Sequence, residues 1–94
     1  MTQNDAALID RVLVGDKSAF GPLIDRHWSK ALSLALHTLG SLADAEDIVQ
    51  EAFLQAFLRL PSLQTRSSFR PWLLGIVLNL CRMHKRARRS KEIA

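Results

Sequence analysis

The sequence has few of the features that mark secreted, membrane-bound or disulfide-stabilised proteins. Its 94 residues include a single cysteine, Cys81, which excludes an internal disulfide and fits a reducing compartment. No stretch reaches the roughly 18 apolar residues that a membrane-spanning helix needs. The opening residues Met-Thr-Gln-Asn-Asp lack the basic start and apolar run of a signal peptide. We therefore expect a cytoplasmic protein without membrane insertion.

The sequence also lacks the patterns of an enzyme or a metalloprotein. His27, His37 and His84 have no metal-site spacing, and the pair Cys81 and His84 lacks further ligands. There is no glycine-rich phosphate loop, nucleophile elbow or HExxH pattern. His27 falls in an apolar stripe, which predicts a partly buried histidine with satisfied hydrogen bonds. We predict no enzyme activity, cofactor or metal.

Charge is present but unevenly distributed. Residues 1–81 carry seven Lys/Arg and eight Asp/Glu, whereas residues 82–94 carry six Lys/Arg and one Glu, so the local net charges are −1 and +5. A polyanion would therefore meet one end of the molecule.

The apolar residues, 48% of the chain, follow helical spacing and predict one all-α domain, a compact bundle of about four helices. Pro22 cannot donate a backbone hydrogen bond, so we expect the second helix to be kinked or restarted near Gly21-Pro22. A polar loop is expected over 61–68, with Pro71 in the first turn of the last helix. The predicted helices run from Asn4 or Asp5 to Val14, from Asp16 to Leu39, from Ser41 or Asp44 to Leu60, and onward from Ser67 or Ser68.

The third helix has an unusual face opposite its core stripe. Asp47, Glu51, Leu54 and Leu58 lie at i, i+4, i+7 and i+11 and form one line. Two carboxylates and two leucines on an outer face suit a docking surface for a basic partner helix. Alternatively, another helix covers the leucines, or they are scattered surface residues.

The last helix and the loop before it suggest contact with nucleic acid. Arginines at helical spacing can follow phosphates, and Asn79 can present a donor and an acceptor to a base edge. The loop could hold an unstacked base by polar contacts. Ordinary surface polarity explains Asn79 and the loop equally well. The outer face comprises Gly75, Asn79, Arg82 and Arg86, with Arg89 beside it and Trp72 at its edge, and the loop contains Gln64, Thr65, Arg66 and Ser67.

The run from Asp44 to Phe53, DAEDIVQEAF, resembles the hallmark run of bacterial sigma factors of the extracytoplasmic-function (ECF) group. The positions of Phe69, Trp72-Leu73, Ile76 and Asn79, followed by a basic end, are also similar to that family. So is the beginning of the chain, and the resemblance covers essentially its whole length.

The resemblance implies the conserved second region of a sigma factor, which binds the RNA polymerase core and recognises and opens the promoter −10 element. The acidic helix would dock on the clamp helices of the β′ subunit. The loop would capture a flipped base of the non-template strand. The resemblance implies Asp44, Asp47, Gln50, Glu51, Leu54 and Leu58 for polymerase and Gln64, Thr65, Arg66, Ser67, Trp72, Asn79, Arg82, Lys85, Arg86 and Arg89 for DNA.

Two departures from the family pattern affect these expectations. Met83 stands where the family often has an acidic residue, which puts a salt bridge within the basic end in doubt. We expect this second region over 1–90 and the start of a linker over 91–94, without the fourth region that reads the −35 element. We favour an excised domain over a naturally short protein. The alternative function is a helical interaction module with a basic tail, bound by an anti-sigma factor or another acidic partner without specific DNA reading.

Overall fold

The computed structural model describes residues 3–93, and the side chains of residues 3–92. Over this range the backbone forms four α-helices and three short 3-10 turns and contains no strand, so the predicted all-α bundle is confirmed. The α-helices are α1 (Asp5–Leu13), α2 (Phe20–Leu39), α3 (Leu42–Arg59) and α4 (Phe69–Ile93), and the 3-10 turns are Lys17–Ala19, Leu60–Ser62 and Arg66–Ser68.

The predicted break at Gly21-Pro22 takes the form of a change of helix type. A 3-10 turn ends at Ala19 and α2 begins at Phe20, so Pro22 is the third residue of α2 and not part of its interior. The first four N–H groups of an α-helix have no intrahelical acceptor, so the missing N–H of proline costs little there. At the other end, Gly40 takes the left-handed conformation with φ 73° and closes the helix.

The start of α3 is fixed by Ser41, whose side-chain oxygen accepts a hydrogen bond from the backbone N–H of Asp44 at 3.3 Å. Of the two predicted caps, Ser41 is therefore the one used. Asp44 lies in the first turn, where a carboxylate is favoured by the helix dipole. The helix ends at Arg59, one residue before the predicted Leu60, because Pro61 follows within a 3-10 turn.

The core lies where α2, α3 and α4 pack against one another, with α1 laid across one side. Small side chains fill much of the contact, which lets the helix axes approach closely. Ala31, Ala35, Ala45, Ala52 and Ala56 are all fully buried. Larger side chains complete the core, and Phe20 packs edge-on against Phe57 with 5.3 Å between ring centroids.

His27 links α1, α2 and the start of α4. It is 4% exposed, and its Nδ1 accepts a hydrogen bond from Arg70 at 3.0 Å. Because arginine only donates, the proton lies on Nε2, which donates to Asp5 at 2.7 Å. The predicted hydrogen bonds of this histidine are confirmed, and its burial is more complete than the partial burial expected. This chain of contacts joins the first turn of α4 to α2 and α1.

The predicted boundary at residue 90 lies within α4, which continues to Ile93, and Ala94 lies outside the described residues. Among the described residues, no helix is long and apolar enough to cross a membrane.

Candidate functional site

On the outer face of α3, all four residues predicted to form one line are exposed to solvent. We call Asp47, Glu51, Leu54 and Leu58 the docking stripe, and all four side chains are exposed. Leu54 and Leu58 are 52% and 67% exposed, so no other helix of the described chain covers them. Of the alternatives left by the sequence, coverage by a helix of this chain is thereby excluded.

Two further residues implicated by the resemblance have different surroundings. Gln50 is exposed beside the docking stripe. Asp44 is only half exposed, and its Oδ2 lies 3.3 Å from His84 Nε2 and 3.5 Å from Arg88 Nη1. Asp44 therefore ties the start of α3 to the basic end of α4 and is less available to a partner.

The loop between α3 and α4 is ordered by a buried anchor. Leu63 is 5% exposed and belongs to the core, while the next two residues, Gln64 and Thr65, remain exposed. Beside them lies an open cleft of about 500 Å³, which we call the loop cleft. It is lined by Ser62, Leu63, Gln64, Thr65, Ser68, Pro71 and Trp72. The cleft thus combines polar groups from the loop with one face of a half-buried indole.

Arg66 and Ser67, also predicted for DNA, do not line this cleft. The Arg66 guanidinium donates to Asp10 at 3.1 Å and to the backbone oxygen of Leu63 at 3.0 Å. It therefore fastens the loop to α1. Ser67 is exposed in the 3-10 turn that precedes α4. The structure groups Gln64, Thr65 and Trp72, and separates Arg66 and Ser67 from them.

A second depression, of about 380 Å³, continues from the loop cleft between α3 and α4, and we call it the α3–α4 groove. The two depressions share Pro71 and Trp72. The groove is lined by Gln55, Arg59, Pro71, Trp72, Gly75, Ile76 and Asn79. Its polar walls come from both helices, whereas the sequence pointed only to α4.

Asn79 lies in this groove with its amide nearly free. Its Nδ2 is 3.8 Å from the sulfur of Met83, which is a weak acceptor, and its side chain is exposed. An acidic residue at position 83 would accept that donor more strongly. With methionine there, both polar atoms of the Asn79 amide remain available to a ligand.

The basic end of α4 presents one cationic surface. Arg82, Lys85, Arg86 and Arg89 are exposed and together line a shallow recess of about 270 Å³. Four positive side chains around one recess suit phosphate oxygens. This recess follows the α3–α4 groove along the helix, so a single strand could run from the loop cleft to the basic end.

Sequence reasoning missed Gln55 and Arg59. Together with Glu51 they are spaced at i, i+4 and i+8, which places them on one line of α3, and Gln55 donates to Glu51 at 3.4 Å. The spacing was a usable signal that they share a face. That this face borders α4 could not be read from the sequence of α3 alone.

Among the titratable groups of the described residues, two show a shifted pKa. Hydrogen bonds from Ser18 and then Arg11 lower the pKa of Asp16 at the turn between α1 and α2. Burial raises the pKa of the Cys81 thiol, against a smaller opposite effect of Lys85. Neither group lies in the loop cleft or the groove. The described residues include no group of three potential metal ligands close together.

These surfaces define a helical module with an acidic and apolar surface on α3 and a cationic surface on α4 that continues into the loop cleft. The model of the family Sigma-70 region 2 matches residues 23–91. The chain belongs to this family, and its relatives place it among ECF sigma factors.

The chain is 41% identical over 89 residues to the RNA polymerase sigma factor NccH of Alcaligenes xylosoxydans, covering 94% of the chain and 47% of the relative. It is 35% identical over 86 residues to the RNA polymerase sigma-H factor of Pseudomonas aeruginosa, covering 92% and 45%. It is 38% identical over 72 residues to the ECF RNA polymerase sigma factor SigW of Bacillus subtilis, covering 77% and 38%. The chain therefore spans less than half the length of these curated relatives.

Proposed function

We propose that this chain binds the core of RNA polymerase through α3 and captures the unpaired non-template strand of a promoter −10 element on the other face. The observation that carries the proposal is that one small bundle exposes two surfaces of different chemistry, the acidic and apolar docking stripe on α3 and the cationic surface of α4 with the loop cleft beside it. Family membership supports a role in promoter recognition, and the polymerase names of the relatives support the choice of protein partner.

The docking stripe suits the β′ clamp helices, a basic coiled coil in the resembling proteins. Asp47 and Glu51 supply negative charge. Leu54 and Leu58 supply apolar surface that is removed from water on binding. Gln50 borders this surface and adds a polar contact at its rim. Asp44 contributes indirectly, because its contacts with His84 and Arg88 hold the start of α3 against the basic end of α4.

The loop cleft suits one extruded base. Trp72 offers an aromatic face, and the side chains of Gln64 and Thr65 offer hydrogen bonds to a base edge. Arg66 acts by holding the loop against α1. Ser67 is exposed in the 3-10 turn before α4, outside the loop cleft, where its hydroxyl can contact a passing strand.

Contacts with α4 position the DNA strand and supply affinity for it. Arg82, Lys85, Arg86 and Arg89 contact the phosphates, and Asn79 reads a base edge. Extruding a base costs a few kcal/mol, and stacking it on an aromatic ring returns about 1–3 kcal/mol. The phosphate contacts supply the remainder, so binding must weaken steeply with salt.

The DNA half is tested with a strand selected by the chain itself. Core polymerase carrying the chain is used to select from a random single-stranded DNA library, and the affinity for the selected strand is compared with that for a scrambled one. We expect a preference for the selected strand, which Asn79→Ala reduces about tenfold. Equal affinity for both strands, unaffected by Asn79→Ala, would leave only a basic tail and contradict specific reading.

The polymerase half is tested by reversing the charge of the docking stripe. Asp47→Lys with Glu51→Lys should abolish binding to the isolated β′ clamp helices and leave the helical circular dichroism spectrum unchanged, because both side chains are exposed. Glu46→Lys is the matched control on the same helix, since Glu46 is exposed but lies outside the stripe. Undiminished binding by the folded double variant would refute the assignment.

A further inference from the structure

The first helix, α1, contacts both 3-10 turns that flank the loop between α3 and α4. It contributes no residue to the docking stripe, to the lining of the loop cleft or to the basic recess, and it lies ahead of residues 23–91, the part matched by the family model. Leu8 and Ile9 are 2% and 0% exposed, so one face of α1 is built into the core. A helix held in this way can serve as a rigid support for the loop beside it.

One carboxylate of α1 is connected to the loop wall of the cleft. The Arg66 Nε donates to Asp10 at 3.1 Å, and the Nη1 of the same guanidinium donates to the backbone oxygen of Leu63 at 3.0 Å. The guanidinium therefore joins the two ends of the short segment that carries Gln64 and Thr65. It also fastens this segment to α1.

A second carboxylate of α1 is connected to the other wall of the cleft, the first turn of α4. His27 Nε2 donates to Asp5 at 2.7 Å, and Arg70 donates to His27 Nδ1 at 3.0 Å. Arg70 immediately precedes Pro71 and Trp72, which line the cleft. Because one rigid helix is linked to both walls, its contacts bear on the distance between them.

We propose that α1 sets the width of the loop cleft, and that Asp10 is a positioning residue for base capture that acts through Arg66. The inference rests on the proposed function and deepens it, because it makes capture depend on a helix that does not touch the base. Recognition of a base needs its polar and aromatic partners at a fixed separation. Without the Asp10 carboxylate, the guanidinium keeps its bond to Leu63 but no longer fastens the loop to α1.

The opposite effect is expected if Arg66 contacts the DNA directly. A carboxylate that pairs with a phosphate-binding arginine competes with the phosphate, so its removal tightens binding. Removal of a positioning contact weakens binding instead. The sign of the Asp10→Ala effect therefore separates the two roles. Asp25→Ala is the matched control for the lost negative charge, because Asp25 is exposed on α2 and lies outside the cleft.

The test measures the affinity of the full 94-residue chain, bound to core polymerase, for the selected strand with or without the captured base. That base is the one whose removal weakens the wild type about tenfold but no longer affects Gln64→Ala with Thr65→Ala. Asp10→Ala should bind the intact strand about two- to fivefold more weakly, the range of an exposed ion pair. It should bind the abasic strand as tightly as the wild type does. Asp10→Glu should retain wild-type affinity because its carboxylate still reaches Arg66, and Asp25→Ala should not weaken binding.

A double-mutant cycle tests the connection between Asp10 and Arg66. Arg66→Ala should weaken binding of the intact strand at least as much as Asp10→Ala, and Asp10→Ala should add nothing in that background. Neither variant should change the slope of log affinity against log salt concentration, because neither loses a phosphate contact. The melting temperature of Asp10→Ala should change by less than about 5 °C, since this side chain is 66% exposed.

Four results would overturn the inference. Asp10→Ala could bind the intact strand as tightly as the wild type or more tightly, while the loop-cleft variant loses its sensitivity to the captured base; α1 would then have no positioning role, and the proposed function would stand. Equal weakening on the intact and abasic strands would mean that Asp10 does not act on base capture. A salt slope reduced by about 0.7 in Arg66→Ala would make Arg66 a phosphate contact. A wild type that binds the selected and scrambled strands equally would contradict both the inference and the DNA half of the proposed function.

Discussion

The two leucines of the docking stripe allow a quantitative prediction for polymerase binding. Leu54 and Leu58 expose 52% and 67% of their surface, together somewhat more than one whole leucine side chain. Complete burial of a leucine contributes about 1.5–3 kcal/mol. If the clamp helices cover both side chains, Leu54→Ser with Leu58→Ser should cost about 2 to 4 kcal/mol of binding free energy, which is roughly a 30- to 900-fold increase in Kd.

The assay is competition for core polymerase against a labelled wild-type chain. The folded state should tolerate the double substitution, because neither side chain belongs to the core. Leu42→Ser is the matched control: Leu42 lies on the same helix and is also 52% exposed, but it points about 120° away from Leu54 and about 160° away from Leu58. A loss below threefold for the double variant, or an equal loss for Leu42→Ser, would refute a docking role for these leucines.

Three further predictions concern salt, thiol reactivity and acid stability. Arg82→Ala with Arg86→Ala should reduce the slope of log affinity against log salt concentration by about 1.4, since each phosphate contact with a single strand contributes about 0.7; titration at several salt concentrations measures it, and an unchanged slope would mean that neither arginine meets a phosphate. Cys81 is fully buried, so its thiol should react with a maleimide only when the bundle opens, the pKa raised by burial should slow the reaction further, and urea should accelerate labelling; rapid labelling of the folded chain would contradict its position in the core. The lowered pKa of Asp16 means that its contribution to stability is present above its ordinary pKa of 3.8 and is lost as the pH falls through the lower folded value. Thermal unfolding should therefore show Asp16→Asn to be less stable than the wild type near neutral pH, with the difference shrinking in acid, whereas a constant difference would exclude the ionised carboxylate as the cause.

The features that could be predicted from the sequence depend on interactions between residues that are close together in the chain. Helix periodicity and end signals predicted which residues of α3 face away from the core and limited its N-cap to Ser41 or Asp44, and the structure confirms the outward line and selects Ser41. The buried state of His27 followed in the same way, because its position falls in the apolar stripe of α2.

What could not be predicted depends on contacts between residues far apart in sequence. Arg66 and Asp10 are 56 positions apart, and only the packing of α1 against the loop brings them together and removes Arg66 from the loop cleft. The same holds for Asp44, whose partners His84 and Arg88 lie on another helix. Pairings of this kind depend on the angle and the position at which two helices cross. The side-chain periodicity of a single helix does not determine either of them.

The α3–α4 groove illustrates the same limit for the candidate site. On α3 alone, Arg59 is an ordinary cation in the last turn of a helix, and on α4 alone Gly75 is a helix-weakening residue. Their relation appears only when both helices are placed side by side, because each contributes one part of the groove.

The central claim is that two different surfaces of one bundle, the docking stripe and the loop cleft with α4, meet polymerase and unpaired DNA at the same time. Its most direct test places a photo-crosslinking side chain at position 54 or at position 64 in a complex of the chain, core polymerase and a promoter bubble of the selected sequence. We predict that the probe at position 54 crosslinks to β′ and the probe at position 64 to the non-template strand. Crosslinks of both probes to protein alone, or of neither probe to its expected partner, would contradict the account.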